Sequence, residues 1–264
     1  MVLRRAGRTD DMPRPIDREK LDLDILVLGG TAEARELADE LHAAGAAVTS
    51  SLAGRVARPR LPAGEVRIGG FGGPAGLAAW LAGHGVDAVV DATHPFAERI
   101  SASAVTACER SGVPLLRLER PGWTQRAGDR WQWVDGLDEA ARAIESGQRV
   151  LLTTGRQGLA AFAHRDDAWF LVRCVDPPQP PLPAHHELLL ARGPYSVASE
   201  LALVDEHRIA LVVTKDSGGT HTRAKLDAAR ERGLPVIVVR RPPRPDVATV
   251  TTVAAALRWA RHPG

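Results

Sequence analysis

The sequence predicts an α/β fold: two Rossmann-like parallel-sheet domains with a cleft between them. Three observations carry that prediction. Short apolar runs alternate with amphipathic or alanine-rich stretches along the chain, the pattern of parallel strands covered by helices on both faces. The pattern occurs twice, because Arg110-Ser111-Gly112-Val113-Pro114-Leu115-Leu116-Arg117-Leu118-Glu119-Arg120-Pro121 matches Arg232-Gly233-Leu234-Pro235-Val236-Ile237-Val238-Val239-Arg240-Arg241-Pro242. The apolar runs also end in loops rich in glycine, hydroxyl and charged residues, and the carboxyl edge of an open α/β sheet is where ligands bind. The alternative architecture is one long sheet of about ten strands.

The elements follow in order. Residues 1–20 are charged and lack an apolar core, so they read as a disordered tail and not a signal peptide, with Met12 an alternative start. The first domain, 21–147, holds strand cores at 25–28, 47–50, 66–68, 88–90 and 115–118. Its helices run over 33–43 and 77–82, and Pro95 is placed at the start of the next, a position that tolerates a missing N–H. The second domain, 148–264, holds strand cores at 150–153, 169–172, 187–190, 211–214 and 236–239. Gly112 and Gly233 end the repeated helices in left-handed caps, and Pro114 and Pro235 block continuation. A short strand and an alanine-rich helix are expected to close each half: 131–134 with 137–146, and 247–250 with 253–261. The proline-rich segment 177–183 reads as a stiff extended loop.

Composition narrows the function classes. A hydrophobic content of 44% and a charged content of 25% are those of a globular chain. The pI of 8.8 derives from arginine, yet the net charge is only +2, which gives no case for nucleic-acid binding. Arginines gathered in one cleft suit an anionic small molecule, since the planar guanidinium grips carboxylates and phosphates with two N–H groups. Cys108 and Cys174 have neither zinc nor disulfide spacing, so no metal is expected, and Cys108 reads as a small buried apolar residue. No apolar run reaches membrane-span length, and a cytoplasmic protein is the expectation.

The first domain carries the nucleotide signals. Gly29-Gly30-Thr31-Ala32-Glu33-Ala34 follows the first buried strand and opens a helix, a setting in which backbone N–H groups and the helix dipole receive a diphosphate. The glycines admit close approach, and Ala34 allows tight helix–strand packing. The loop departs from the G-x-G-x-x-G fingerprint, and a tight turn without a ligand would use the same residues. The second strand ends in Ser51-Leu52-Ala53-Gly54-Arg55, with no acid to hold a ribose 2′-hydroxyl; Ser51 and Arg55 fit a 2′-phosphate, hence NADPH. Gly70-Phe71-Gly72-Gly73, after the third strand, suggests backbone pressed against a flat ligand.

The reacting groups are expected at two further strand ends. Asp91-Ala92-Thr93-His94-Pro95-Phe96-Ala97 supplies acid–base residue types in Asp91 and His94, with Thr93 a candidate helix cap. In the second half the counterpart is Thr214-Lys215-Asp216-Ser217-Gly218-Gly219, joined by Arg156, Arg192 and Tyr195 at other strand ends and by Lys225 on the next helix. Arg156, Arg192 and Lys215 are placed against substrate carboxylates. The candidates for proton donor are His94, Tyr195, Lys215, Asp216 and bound water.

Together the runs at 29–34, 51–55, 70–73, 91–97 and 214–218 resemble the precorrin-6A reductase family of corrin-ring (cobalamin) biosynthesis, over about residues 24–260. The 91–97 run is the specific one. The resemblance implies NADPH as hydride donor and a polycarboxylate tetrapyrrole as acceptor, one ring double bond of precorrin-6A being reduced to give precorrin-6B. It further implies that Gly29, Gly30, Thr31, Glu33, Ala34 and 51–55 bind NADPH and that Asp91, Ala92, Thr93, His94 and Pro95 lie near the nicotinamide. Lys215, Ser217 and Gly218 would meet the substrate. Transient contact with neighbouring pathway enzymes belongs to the same expectation. Metal-free and cobalt-containing substrates are not separated by these residues. Competing readings are another NADP-dependent reductase or epimerase acting on an anion, and a non-catalytic NADP-sensing module. A short-chain dehydrogenase is excluded, because the single tyrosine, Tyr195, lacks the Tyr-x-x-x-Lys spacing.

Overall fold

The computed structural model describes residues 21–54, 61–220 and 222–263. The expected tail, 1–20, lies outside them. In chain order the elements are β1 (Asp24–Leu28), α1 (Ala32–Ala43), β2 (Ala47–Leu52), β3 (Glu65–Ile68), α2 (Gly73–His84), β4 (Ala88–Asp91), α3 (Glu98–Ser111) and β5 (Leu115–Leu118). Then come β6 (Arg130–Val134), α4 (Leu137–Arg142), β7 (Arg149–Leu152), a 3₁₀ turn (Arg156–Phe162), β8 (Trp169–Cys174) and β9 (His186–Leu190). The chain closes with α5 (Val197–Glu206), β10 (Leu211–Lys215), α6 (Ala224–Glu231), β11 (Pro235–Val239), β12 (Thr249–Val250) and α7 (Val253–Trp259).

These elements form two six-stranded sheets, β12-β5-β4-β1-β2-β3 and β6-β11-β10-β7-β8-β9, every pairing parallel. The two-domain α/β prediction therefore holds, and the single long sheet does not form. The central strands read as unbroken apolar runs because both faces are covered. In β1, Ile25 and Val27 face the core under α1 and α7, while Leu26 and Leu28 face the one under α2 and α3. In β7, Val150 and Leu152 face one core and Leu151 the other. This is the two-residue alternation of strand side chains, applied twice to each sheet.

The ends of the halves differ from the expectation. The strand at 131–134 does not close the first half; β6 pairs with β11 of the second sheet, Arg130 opposite Pro235 through Val134 opposite Val239. Conversely β12 pairs with β5 of the first sheet. The helices travel with their strands: Ala140 and Ala141 of α4 lie in the core of the second sheet, and Ala256 and Ala260 lie in the core of the first. Segments 119–129 and 240–248 thus cross between the sheets. Two further boundaries shift. The helix expected over 137–146 ends at Arg142, and α3 begins at Glu98 and not at Pro95, because Ala97 N–H closes a turn onto His94 O at 2.8 Å.

Candidate active site

A cavity of about 770 Å³ opens at the carboxyl edge of the first sheet, in the size range of small-molecule and cofactor sites. It is lined by the loops after β1, β2, β3 and β4, and across the cleft by Gln157 and Arg192 of the second half. At its base, Gly29 N–H donates to Ser51 O at 2.9 Å. Gly30 has φ +113, a conformation that favours glycine, and a Cβ there would have no atom within 4 Å. Its backbone therefore borders open space where a ligand can rest. Thr31 caps α1, accepting from Ala34 N–H at 3.0 Å, and its hydroxyl donates to Ala92 O at 2.8 Å, tying the loops after β1 and β4 together.

The predicted cofactor residues divide into three groups. Gly29, Gly30, Thr31, Ala34, Ser51, Leu52, Ala53, Gly54, Gly70, Phe71, Thr93 and His94 line the cavity. Glu33, Gly72, Gly73, Asp91, Ala92 and Pro95 do not line it; Asp91, Ala92 and Pro95 are buried, and Gly72 and Gly73 are exposed. Arg55 lies outside the described residues. The loop after β3 owes its shape to a residue that the sequence reading passed over. Arg67 donates to Gly69 O at 2.7 Å and to Gly70 O at 2.6 Å, and its guanidinium lies 3.8 Å over the Phe71 ring. Arg35 and Arg99, also unforeseen, add cations to the cavity wall. Each falls in the first turns of a helix that follows a ligand-facing loop, and that position was the available signal.

The 91–97 loop separates into buried and cavity-facing parts. Asp91 is 2% exposed. Its carboxylate accepts from Thr93 Oγ at 2.6 Å, Thr93 N–H at 3.2 Å and Arg244 Nη2 at 3.0 Å, with Arg117 Nε at 3.8 Å. Thr93 is therefore not the helix cap that the sequence suggested; its hydroxyl is bound by the strand-end carboxylate. Arg244 also donates to Ser101 of α3 and pairs with Glu119 at 2.7 Å, pinning one crossing segment to the loop. His94, by contrast, lines the cavity. Burial, and the charges of Arg120, Lys215, Arg241 and Arg244, lower its pKa to about 3. Its Nδ1 accepts from Phe96 N–H at 3.3 Å, so the neutral ring carries its proton on Nε2. Phe96 packs against the core of the second sheet, anchoring the loop across the cleft.

The 214–219 loop answers it from the other side. Lys215 Nζ lies 5.2 Å from the centre of the Phe96 ring, and burial lowers its pKa. Asp216 accepts from Trp123 N–H at 2.9 Å and pairs with Arg241 at 3.3 Å. Ser217 Oγ sits 3.5 Å from Thr222 Oγ1, and Gly218 is pressed between Pro121 O and Arg241. Tyr195 donates to Ala191 O at 2.9 Å under the Arg173 guanidinium, and burial raises its pKa. Lys225 is 4% exposed, donates to Thr222 O at 2.7 Å and faces Trp123, Arg173 and Glu200. It stands behind the loop. Arg192 is the predicted substrate residue that lines the cavity; Arg156 begins the 3₁₀ turn next to Gln157, which lines it too. Cys108 is buried as expected, its thiol pushed up to about 12.

Residues 24–261 match the family described as Precorrin-6x reductase CbiJ/CobK. The chain is 54% identical to Precorrin-6A reductase of Rhodococcus erythropolis, over 89% of this chain and 96% of that relative. It is 32% identical to Cobalt-precorrin-6A reductase of Salmonella typhimurium, over 83% of this chain and 88% of that relative. The solved structure of a CobK precorrin-6A reductase is similar at a TM-score of 0.87 and 43% identity, covering 92% of this chain and 97% of that one. A match over both sheets and both crossing segments, with relatives this similar, makes the chain a member of the precorrin-6x reductase CbiJ/CobK family of oxidoreductases.

Proposed function

We propose that this protein reduces one ring double bond of precorrin-6A with NADPH, giving precorrin-6B in corrin-ring biosynthesis. The observation that carries the reading is the cavity itself: glycine-rich loops and a helix N-terminus on one wall, with Arg192 and Gln157 of the other half across from them. The open space beside Gly30 admits a diphosphate, so the residues present fit a dinucleotide. Ser50 and Ser51 at the end of β2, without a carboxylate, favour the 2′-phosphate of NADPH over the free hydroxyl of NADH. Arg55 is assigned to that phosphate. Identity of 54% to a Precorrin-6A reductase, against 32% to a Cobalt-precorrin-6A reductase, supports the metal-free substrate. No helix among the described residues is long and apolar enough to cross a membrane, in keeping with a cytoplasmic reductase.

When bound, NADPH supplies the hydride; the chain positions it and supplies a proton. His94, neutral over the working pH range, presents Nε2–H to the cavity as a fixed hydrogen-bond donor. It is assigned to orientation and not to acid catalysis. Asp91 holds Thr93 and Arg244 and so fixes the shape of the His94 loop without touching the reactants. Of the candidate proton donors, Asp216 is held by Trp123 and Arg241, and Tyr195 donates to Ala191. Lys215 is assigned the proton transfer, since burial makes its ammonium more ready to release one. Arg192 and Arg156 are assigned to substrate carboxylates.

The test is direct. Purified protein mixed with NADPH and precorrin-6A is expected to lose nicotinamide absorbance in step with formation of precorrin-6B. NADPH binding without turnover of verified substrate would leave only a sensing module. Arg55→Ala is expected to weaken NADPH far more than NADH; equal loss of both would contradict the 2′-phosphate assignment.

A further inference from the structure

One guanidinium joins the two walls of the site. Arg120, just beyond β5, donates from Nη1 to Glu33 Oε2 at 2.6 Å and from Nε to Ser217 O at 2.5 Å. Glu33 lies in the first turn of α1, beside the Gly30 cradle; Ser217 is two residues beyond Lys215. The contact is close. A Cβ at Gly219 would fall 2.8 Å from Arg120 Cδ and 3.5 Å from Glu33 Oε1, so only glycine lets the loop reach α1. Arg120 O in turn accepts from Arg241 Nη1 at 3.0 Å, and Arg241 Nε donates to Asp216 O at 3.1 Å.

We propose that Arg120 and Glu33 are positioning residues that couple the dinucleotide cradle to the Lys215–Ser217 loop, so that each ligand binds more tightly when the other is present. The reason is electrostatic. Glu33 places a carboxylate at the helix end that receives a diphosphate, and like charges there repel. Arg120 relieves that repulsion from a position in which it also holds Ser217 O. Docking of the second-half loop and seating of the diphosphate therefore favour one another, and the effect is reciprocal by linkage. Neither residue touches the reacting atoms. This inference rests on the NADPH and tetrapyrrole reading above.

The coupling is measured without chemistry by using NADP⁺, which has no hydride to give. Calorimetric titration of the full chain with NADP⁺, alone and with saturating precorrin-6A, is expected to show about a tenfold tightening. In Arg120→Met the tightening falls below about twofold and NADP⁺ alone binds more weakly. In Glu33→Gln the tightening also falls, but NADP⁺ alone binds more tightly, because the repelling charge is gone. That opposite sign separates coupling from a merely structural role and does not depend on the Arg120 variant folding well. Independent binding of the two ligands by the native chain overturns the proposal, as does full coupling in both variants. Failure of either ligand to bind the native chain alone overturns the reading of the site, and the coupling with it.

Discussion

The loops that follow β1 and β7 occupy the same place in the two sheets, yet they have opposite characters. After β1, Gly30 borders open space and the chain enters a regular helix whose N-terminus faces the cavity. After β7, the chain winds into a 3₁₀ turn, and a Cβ on Gly158 would lie 2.6 Å from Leu137, a residue of the exchanged helix α4. Just beyond each strand a glycine borders open space, Gly30 after β1 and Gly155 after β7, but six residues past the strand end the second loop is tightly filled at Gly158, where the first half has Ala34 under a regular helix. A repeated fold can thus carry unlike walls: glycine loops and a helix N-terminus line the cavity from the first sheet, and Gln157 and Arg192 reach it from the second. The difference arises from what packs against each loop and not from the loop sequences alone.

Five substitutions sharpen or break that contrast. Lys215→Met is expected to lower kcat by about a thousandfold while leaving NADPH affinity within about threefold, since the loss falls on the second wall alone. Equal damage to cofactor binding would show that the walls are not separate. Gly30→Val, which brings a β-branched side chain to φ +113 and into the cradle, is expected to weaken NADPH about 100-fold, or about 2.7 kcal/mol. Gly158→Val, in the loop after β7, costs stability through the Leu137 contact and leaves NADPH affinity within about twofold; fluorescence titration with thermal melting distinguishes the two. Asp91→Asn removes one of the two carboxylates, Asp91 and Glu119, that face Arg244 and Arg117, and is expected to destabilise by about 3 kcal/mol. Asp216→Asn, whose Trp123 bond an amide oxygen can still accept, costs about half as much by denaturant titration.

The remaining tests vary pH. His94, lowered from 6.5 to about 3 in the folded chain, stays neutral where the unfolded chain takes up a proton. Stability therefore falls as pH drops from 6.5 toward 3, and His94→Gln removes that slope. The pH profile of kcat/KM should show no step belonging to His94 at neutral pH. Lys225 has the same sense in a higher window: lowered from 10.5 to about 7, it leaves the folded chain less protonated than the unfolded one across that window. Stability rises with pH from about 7 to 10.5, and Lys225→Met flattens the rise in urea titrations at several pH values.

Much of the molecule was legible in the chain. The ten strand cores expected from apolar runs all fall on observed strands, with only Thr153 lying one residue past the end of β7, because a strand covered on both faces writes its burial into consecutive residues. The glycine loops and the 91–97 run were legible for a similar reason, since backbone approach and capping demand particular residues locally. Arg67 was not, because an isolated arginine has no local pattern that tells a clamp from a solvated charge, and for Arg35 and Arg99 the position in the first turns of a helix was the one signal. Within the 91–97 run, Asp91 and His94 looked alike as acid–base candidates. Burial with Arg244 and Arg117, and the turn back to Phe96, gave them different surroundings.

By itself the sequence determined the class of fold, its repeat and the strand ends where chemistry belongs, all of which rest on contacts between near neighbours in the chain. Only the tertiary structure decided which sheet each closing strand joins. The β5 and β11 edges offer the same parallel pairing to a short strand, and nothing local in 130–134 or 249–250 distinguishes them. The exchange carries segments 119–129 and 240–248 across the cleft, where Arg120, Arg241 and Arg244 meet Glu33, Asp216 and Asp91. Those pairs join residues far apart in sequence, so their geometry exists only once both sheets have formed.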